Sequence, residues 1–184
     1  MTVTEIGLWK RKSTRRLADC RVFSVSESVS VCPRTSQEHR FYYLDTADWV
    51  NIVPITSQQE VVFVRQFRHG SEDITLEIPG GMVDAGEDPE VAAVRECLEE
   101  SGYEAGRVES LGVLNPNPAI FPNRLHTYLA RECSRVTEIA NTSTEHTELV
   151  LVPIADLQRM LQSGEISHAL VAATLWRLLY QEIR

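Results

Sequence analysis

Residues 77–103 read EIPGGMVDAGEDPEVAAVRECLEESGY, which places a glycine-rich turn directly before an acidic helix. Asp88 is a favourable N-cap, and Pro89 suits the first helical position, where a backbone N–H is not needed. Gly102 supplies the left-handed residue at which many helices end. The stretch therefore predicts a helix over 89–101, bounded by a capping aspartate and a glycine.

The acids of this helix share one side. At about 100° per residue, Glu99 and Glu100 lie within about 60° of Glu96, on either side of it. Ala92 and Ala93 fall on the same face, and their small side chains should leave open volume beside the acids. Three apolar residues cluster on the opposite face: Val91, Val94 and Leu98.

A divalent cation would stabilise this arrangement. Like charges three and four residues apart on a helix repel one another, and the repulsion grows when the charges are enclosed. Carboxylate oxygens suit Mg²⁺ or Mn²⁺, two cations that favour phosphate-bearing partners. An acidic helix face is more often simply solvated, so the spacing of the neighbouring residues has to decide between the two interpretations.

That spacing favours the metal site. Seven residues fill every fixed position of the pattern Gx5Ex7REUxEExGU, in which U is apolar: Gly81, Glu87, Arg95, Glu96, Glu99, Glu100 and Gly102. Cys97 and Tyr103 occupy the U positions, where Leu or Ile is more usual. The stretch closely resembles the Nudix box, the signature of a superfamily of hydrolases.

The resemblance implies a fold and a metal site. The fold is α/β, a Nudix-type α/β/α sandwich with a mixed central sheet and an N-terminal β extension. The metal is Mg²⁺, with Mn²⁺ as the alternative, and its ligands are Glu96, Glu99, Glu100 and the carbonyl oxygen of Gly80. Arg95 precedes Glu99 by one helical turn, so it would orient that acid, and we assign both residues to the catalytic set.

Charge and hydropathy restrict the partners. The 184 residues carry 18 Lys and Arg against 26 Asp and Glu, a net charge of −8. This balance argues against broad, non-specific nucleic-acid binding, which depends on excess basic residues. The basic cluster at 9–16 is interpreted as a solvated segment, with a phosphate or RNA patch as the alternative. No apolar run approaches the roughly 18 residues of a membrane span, and the first residues lack the core of a signal peptide. We therefore expect a cytoplasmic protein with neither nucleic acid nor membrane as a partner.

The chain before the box predicts an added sheet. Residues 20–32 alternate apolar and polar side chains and residues 40–44 are β-rich, which indicates two strands with a turn between them. We assign 1–45 to an N-terminal β extension and 46–184 to the Nudix hydrolase domain. In the Nudix branch that acts on ADP-ribose and nucleotide sugars, such an extension commonly supports a homodimer, so the resemblance implies one here.

Three strands at 49–56, 61–68 and 74–78 lead into the glycine turn, and the apolar run VVFV in the second predicts burial on both faces. The second strand ends in RQFRHG, which is similar to a QxR motif of the family. Its last arginine, Arg68, has a planar guanidinium suited to phosphate. We assign Arg68 and Glu77 to substrate binding.

The loop after the helix narrows the substrate class. Strands at 108–114 and 124–130 flank the segment NPNPAIFPN. Pro118 lies 16 residues after Gly102, an offset typical of ADP-ribose pyrophosphatases in the superfamily. The fuller string NPNPAIFPNRLHTYLA is more similar to the nucleotide-sugar hydrolase branch. Pro118 and Arg124 complete the predicted substrate-binding set.

A second acidic segment offers a catalytic base. Residues 143–153, STEHTELVLVP, place Glu145 and Glu148 in a polar loop before a strand. Members of this branch carry an acidic loop here that supplies the base, so Glu145 is the first candidate and Glu148 the second. Helical spacing follows over 154–161 and 166–180. Four residues of the last helix are predicted to pack on the sheet: Leu170, Leu175, Trp176 and Leu179.

The predicted function is Mg²⁺-dependent hydrolysis of the diphosphate bridge of a nucleoside diphosphate sugar or ADP-ribose, which gives a nucleoside monophosphate and a sugar phosphate. Nucleoside triphosphate pyrophosphohydrolases and RNA-decapping enzymes use the same box, but the loop around Pro118 and the N-terminal sheet disfavour both. A non-catalytic Nudix-fold binding module is a further alternative. Such a module would be expected to have lost box acids, and all of them are present here.

Overall fold

The computed structural model describes residues 6–141 and 146–182. The described residues form two compact units: those of Met1–Ala47 with Asn115–Asn123, and those of Asp48–Leu114 with Arg124–Arg184. The proline-rich loop that was predicted to narrow the substrate class thus belongs to the first unit, where the backbone N–H of Leu44 donates to the carbonyl oxygen of Ile120 at 2.8 Å.

The first unit contains an antiparallel sheet of three strands in the order β1-β2-β3, with bounds Lys10–Asp19, Ser24–Val31 and Glu38–Asp45. The second and third correspond to the two strands predicted before the box. The first falls on the basic cluster at 9–16, for which no strand was predicted. Every residue of β1 is exposed, because it is an edge strand whose charged side chains on both faces stay in water while its backbone pairs with β2.

A buried carboxylate joins the three strands of this sheet. Glu27 lies in the middle of β2, where Arg40 Nη1 and Tyr42 Oη of β3 each donate to it at 3.0 Å. From the other side, Arg15 Nη2 of β1 lies 3.5 Å from the same carboxylate. Burial alone would raise the pKa of Glu27, but the hydrogen bonds from Tyr42 and Arg40 outweigh it and hold the pKa below its usual range.

The second unit is built on a mixed sheet. Its described strands are β4 (Trp49–Thr56), β5 (Glu60–Arg68), β6 (Asp73–Glu77), β7 (Gly80–Met82), β8 (Tyr103–Glu104), β9 (Arg107–Leu114), β10 (Leu125–Arg135) and β11 (Thr147–Pro153). The order is β11-β5-β4-β10-β8, with β6 on β5, β7 on β4 and β9 on β10. Strands β4 and β10 run parallel, whereas the other described pairs are antiparallel.

Helices cover both faces of this sheet. On one face, Val50 and Ile52 of β4 pack in the same cluster as residues of helix α1 (Pro89–Ser101). On the other face, Val53 and Ile55 pack with residues of α2 (Leu157–Ser163) and α3 (Ala169–Glu182). Because successive side chains of a strand point to opposite faces, β4 is buried on both sides, and the predicted α/β/α sandwich is confirmed. Within the described residues, no helix is long and apolar enough to cross a membrane.

The predicted burial of the apolar run in β5 is confirmed, since its four residues are at most 2% exposed. The prediction for the last helix is wrong at Trp176, which is 43% exposed. Leu175 is fully buried as predicted, and three further residues of α3 are fully buried as well: Val171, Thr174 and Leu178. Trp176 follows Leu175 directly, so the turn of about 100° per residue carries its side chain away from the sheet.

Helix α1 begins and ends as predicted. The side chain of Asp88 accepts a hydrogen bond from the backbone N–H of Glu90 at 2.8 Å, and Gly102 has φ 73° at the C-cap.

The packing of α1 differs from expectation. Ala92 and Ala93 are fully buried, so they bring the helix close to the sheet rather than leaving open volume. Cys97, at the unusual apolar position of the box, is buried beside them, and burial raises the pKa of its thiol to about 12. Val91 and Leu98 face outward, 58% and 37% exposed.

We expect Gly102→Ala to destabilise the protein more than Gly164→Ala. Both glycines end helices at positive φ, so each substitution costs about 1–2 kcal/mol for the left-handed conformation. A Cβ at Gly102 would also lie 2.3 Å from the carbonyl oxygen of Thr137, whereas no described atom lies within 4 Å of a Cβ at Gly164. The total loss at Gly102 should therefore reach about 3 kcal/mol. Urea unfolding of the two variants measures the difference, and equal losses would contradict the argument.

Candidate active site

The glycine turn places backbone where side chains would not fit. Strand β7 pairs with β4, with Gly80 opposite Asn51 and Gly81 opposite Val50. A Cβ on Gly80 would lie 2.3 Å from the carbonyl oxygen of Val50, and one on Gly81 would lie 2.4 Å from Glu96 Oε1. The turn therefore needs glycine at position 80, where the contact is with backbone, and Gly81 leaves room for the carboxylate of Glu96.

The three helix acids lie at different depths beside this turn. Glu100 is 6% exposed, and its Oε2 accepts a hydrogen bond from the backbone N–H of Gly80 at 3.0 Å. The side chain of Glu96 is 14% exposed and that of Glu99 is 51% exposed. The acids thus form a series from the sheet outward, with the innermost one fixed to the glycine backbone.

Arg95 connects these acids to the start of the box. Its Nη1 donates to Glu96 Oε1 at 2.8 Å and to Glu99 Oε2 at 3.2 Å. Its Nε and Nη2 each donate to Glu87 at 3.0 Å, and Nη2 also donates to the carbonyl oxygen of Met82 at 3.2 Å. The hydrogen bond from Arg95 holds the pKa of Glu87 below its usual range. The contact with Glu99 is the one that the predicted orienting role requires.

The donor set of this cluster fits a hard divalent cation. Carboxylate oxygens and a backbone carbonyl are the ligands that Mg²⁺ and Mn²⁺ prefer, and Glu96, Glu99 and Glu100 present them within two helical turns. In the described part of the chain, no three His, Cys, Asp or Glu side chains already converge closely enough to hold a metal ion. Glu96 and Glu99 are bound to the guanidinium of Arg95 instead, so metal binding would require their carboxylates to rearrange.

A cavity of about 300 Å³ in the second unit lies beside the glycine turn. Apolar side chains form part of its wall: Trp49, Val50, Met82 and Leu170. Arg68 and His168 contribute charged or polar groups, and Gly80 and Gly81 contribute backbone. The cavity therefore brings the predicted substrate arginine to the same turn as the helix acids.

Arg68 is held by the second predicted substrate residue, Glu77. Its Nε and Nη2 donate to the two carboxylate oxygens of Glu77, each at 2.7 Å. The side chain of Arg68 is 43% exposed and that of Glu77 only 5%, so the acid lies behind the arginine. Burial would raise the pKa of Glu77, but hydrogen bonds from Arg68 and Thr75 lower it below the usual range. Glu77 is therefore ionised near neutral pH and orients Arg68.

The other two predicted substrate residues lie elsewhere. Pro118 belongs to the first unit, where it lines a cavity of about 410 Å³ with Trp9, Phe41 and Tyr43. Arg124 belongs to the second unit and its side chain is exposed, while its backbone N–H donates to Asp48 Oδ1 at 2.8 Å. Neither residue lines the cavity beside the glycine turn.

The candidate bases are placed differently from expectation. Glu145 lies outside the described residues. Glu148 was predicted in a loop, but it lies on β11, opposite Arg65 of β5. Its carboxylate is 69% exposed, with Arg65 Nη1 at 3.8 Å. The strand already includes Glu148 because Thr147, the residue before it, pairs with Gln66 of β5.

A set of side-chain bonds fixes the start of β11. The backbone N–H of Thr147 donates to Asn141 Oδ1 at 2.8 Å, and Asn141 Nδ2 donates to the carbonyl oxygen of Thr147 at 3.3 Å. Thr147 Oγ1 donates to the carbonyl oxygen of Glu100 at 2.9 Å. This part of the strand is thus joined to the end of the helix that carries the acids.

The sequence reasoning missed His168. This residue precedes α3, lines the cavity with Arg68, and has its Nε2 3.8 Å from Glu77 Oε2. No local signal identified it, because helical spacing was predicted over 166–180, which places His168 inside the helix, whereas the structure starts α3 at Ala169.

Known proteins resemble this chain over most of its length. A model of the NUDIX domain matches residues 45–174. An ADP-ribose pyrophosphatase of Bacillus subtilis is 30% identical over 134 residues, which are 72% of this chain and 72% of that protein. A GDP-mannose pyrophosphatase of Salmonella arizonae is 31% identical over 119 residues, or 60% of this chain and 62% of that protein.

A solved structure has the same fold. The crystal structure of an ADP compounds hydrolase superposes with a TM-score of 0.85 at 21% sequence identity, covering 97% of this chain and 96% of its own. The NUDIX match spans the glycine turn, the acidic helix and both faces of the central sheet. On this evidence the chain belongs to the Nudix family of hydrolases.

Proposed function

We propose that this hydrolase cleaves the diphosphate bridge of a nucleoside diphosphate sugar or of ADP-ribose. The observation that carries the proposal is the cavity beside the glycine turn, which is lined by an oriented arginine and by the two glycines against which the box acids lie. The names of relatives that act on ADP-ribose and GDP-mannose support the substrate class. The products would be a nucleoside monophosphate and a sugar phosphate.

Nudix hydrolases generally use a divalent metal ion, typically Mg²⁺. In this chain Glu96, Glu99, Glu100 and the carbonyl oxygen of Gly80 would hold it, with Mn²⁺ as the alternative. When bound, such an ion neutralises the diphosphate and lowers the pKa of a coordinated water. Glu100 is already placed against the glycine turn by its hydrogen bond from Gly80.

Other residues of the chain would bind the phosphate, orient a metal ligand and activate the attacking water. Arg68 would bind a phosphate oxygen, because its guanidinium is fixed in direction by Glu77. Arg95 would orient Glu99 through the contact between them. Glu145 is the first candidate for the base that removes a proton from the attacking water, and Glu148 is the second.

The proposal also includes the assembly and location expected from sequence. A homodimer supported by the N-terminal sheet and a cytoplasmic location both remain predictions. The nucleotide-sugar substrate is a small molecule, so no nucleic acid or membrane partner is needed for turnover.

A substrate panel with Mg²⁺ tests the proposed function. It contains ADP-ribose, GDP-mannose, ADP-glucose, UDP-glucose, deoxynucleoside triphosphates and capped RNA, and release of monophosphate or pyrophosphate is measured. We expect turnover of at least one of the first four, with monophosphate as a product. Activity confined to triphosphates or capped RNA would instead identify the alternative enzymes. Inactivity on every compound would favour the binding module.

Glu100→Gln should abolish most metal-dependent turnover and leave the fold intact. The amide oxygen of glutamine can still accept the N–H of Gly80, but it removes one negative charge from the metal ligands. We expect kcat/KM to fall by about a hundredfold or more, which is about 2.7 kcal/mol of barrier. Glu104→Gln, at an exposed position three residues past the last residue of the helix, is the matched control. Full activity of the Glu100 variant would contradict the ligand assignment.

Single substitutions of Glu145 and Glu148 distinguish the candidate bases. Because Glu148 is largely exposed and sits opposite Arg65 on a strand, we expect Glu145→Gln to lower kcat at least tenfold, about 1.4 kcal/mol. Glu148→Gln should lower it less than threefold. The reverse ranking would assign the base to Glu148. If neither change reduces kcat tenfold, neither acid is the base.

A further inference from the structure

His168 is the N-cap of helix α3. Its carbonyl oxygen accepts the hydrogen bond from the backbone N–H of Ala172 at 2.9 Å, which is the first bond of the helix. Its ring takes part as well, because Nδ1 accepts a hydrogen bond from the backbone N–H of Val171 at 3.4 Å. The ring therefore has a fixed orientation at the helix start.

This capping bond determines which ring nitrogen carries the proton. A nitrogen that accepts a hydrogen bond has no proton of its own, so the neutral imidazole is protonated on Nε2. Nε2 lies 3.8 Å from Glu77 Oε2, beyond hydrogen-bond distance. His168 lines the cavity beside the glycine turn and is 30% exposed, so it has an N–H donor available to a ligand.

Histidine is a poor choice if capping is the only role. Asn, Asp and Ser cap helices better and need less space. What histidine adds is Nε2, which lies farther from the backbone than either polar atom of Asn or the hydroxyl of Ser, so it can face the cavity while Nδ1 caps the helix. Such a locally unfavourable residue at the wall of a cavity indicates a role in binding.

The polar side chains around the cavity all donate hydrogen bonds. Arg68 carries only N–H groups, Trp49 carries an indole N–H, and His168 carries Nε2–H. Among the described side chains that line this cavity, none is a carboxylate. A group that fits must therefore present acceptor oxygens, and a phosphate has the most of them in the proposed substrate.

We propose that His168 is a substrate-binding residue that donates a hydrogen bond from Nε2 to a phosphate oxygen, alongside Arg68. The proposal rests on the proposed function for the identity of that phosphate, which belongs to a nucleotide sugar or ADP-ribose. Its position at the start of α3 would make the third layer of the sandwich part of the substrate site.

Two variants separate the capping role from the binding role. His168→Asn places an amide oxygen near the position of Nδ1, so it keeps the cap and loses the Nε2 donor. His168→Gln places an amide N–H near the position of Nε2, so it keeps a donor and loses the cap. Stability should follow the cap: we expect the Asn variant to unfold close to the wild-type Tm and the Gln variant about 2–4 °C lower.

Substrate affinity should follow the donor. With the best substrate of the wild-type enzyme and saturating Mg²⁺, we expect His168→Asn to raise KM about tenfold while kcat changes less than threefold, since a contact made equally in the ground and transition states affects KM alone. His168→Gln should recover most of this loss despite its lower Tm. Unchanged KM in the Asn variant would overturn the proposal, and so would a Gln variant as impaired as the Asn variant.

Product binding gives a readout that does not depend on turnover. Calorimetric titration of AMP and of ribose 5-phosphate, each with Mg²⁺, into the wild-type protein and the Asn variant should show about tenfold weaker binding for one of them, and that product identifies the phosphate. If the wild type hydrolyses no member of the panel yet one product still binds more weakly to the Asn variant, the proposed function fails and the role of His168 stands. Equal binding of both products to both proteins would overturn the role of His168 alone.

Discussion

The close approach of helix α1 to the glycine turn is the constraint on which the rest of the site depends. Glu100 is held by the backbone N–H of Gly80, and the carboxylate of Glu96 occupies the space that a side chain on residue 81 would need. The buried alanines of the helix permit this approach, because larger side chains would move it off the sheet. The glycines of the turn and the alanines of the helix are small, and this is why the turn backbone and the helix carboxylates can lie so close together.

Much of the second unit could be predicted from local signals. The strand at 49–56 and the helix at 89–101 have the bounds that the sequence indicated, because each has either a continuous apolar run or strong signals at its ends. Strand β1 was missed because its residues are polar and exposed on both sides, so it has no periodicity that could reveal it. It is a strand only because its backbone pairs with β2, and such pairing between distant residues cannot be detected in a short stretch of sequence.

The same distinction between local and long-range signals applies to the residues of the candidate site. The metal-ligand set follows from fixed spacing within one helix, since residues three and four apart must share a side. The inward face of α1 was predicted wrongly, because a helical wheel gives the angles between side chains but does not show which side of the helix contacts the sheet. The position of Glu148 depends on strand register, and that of His168 depends on the packing of a distant helix. Neither is visible in the neighbouring residues, so Glu148 was predicted in a loop and His168 was not predicted as a site residue.

The side-chain clip between Asn141 and Thr147 has a consequence for how the enzyme family can vary. Asn141 bonds both the N–H and the carbonyl oxygen of Thr147, as a neighbouring strand would, while Thr147 is anchored to the end of α1. With both ends tied to the framework, a change of length or composition in the intervening residues alters the closure entropy only slowly. Because these contacts involve only Asn141, Thr147 and the end of α1, they hold the start of β11 on the framework whatever side chains stand between positions 141 and 147 in a related sequence.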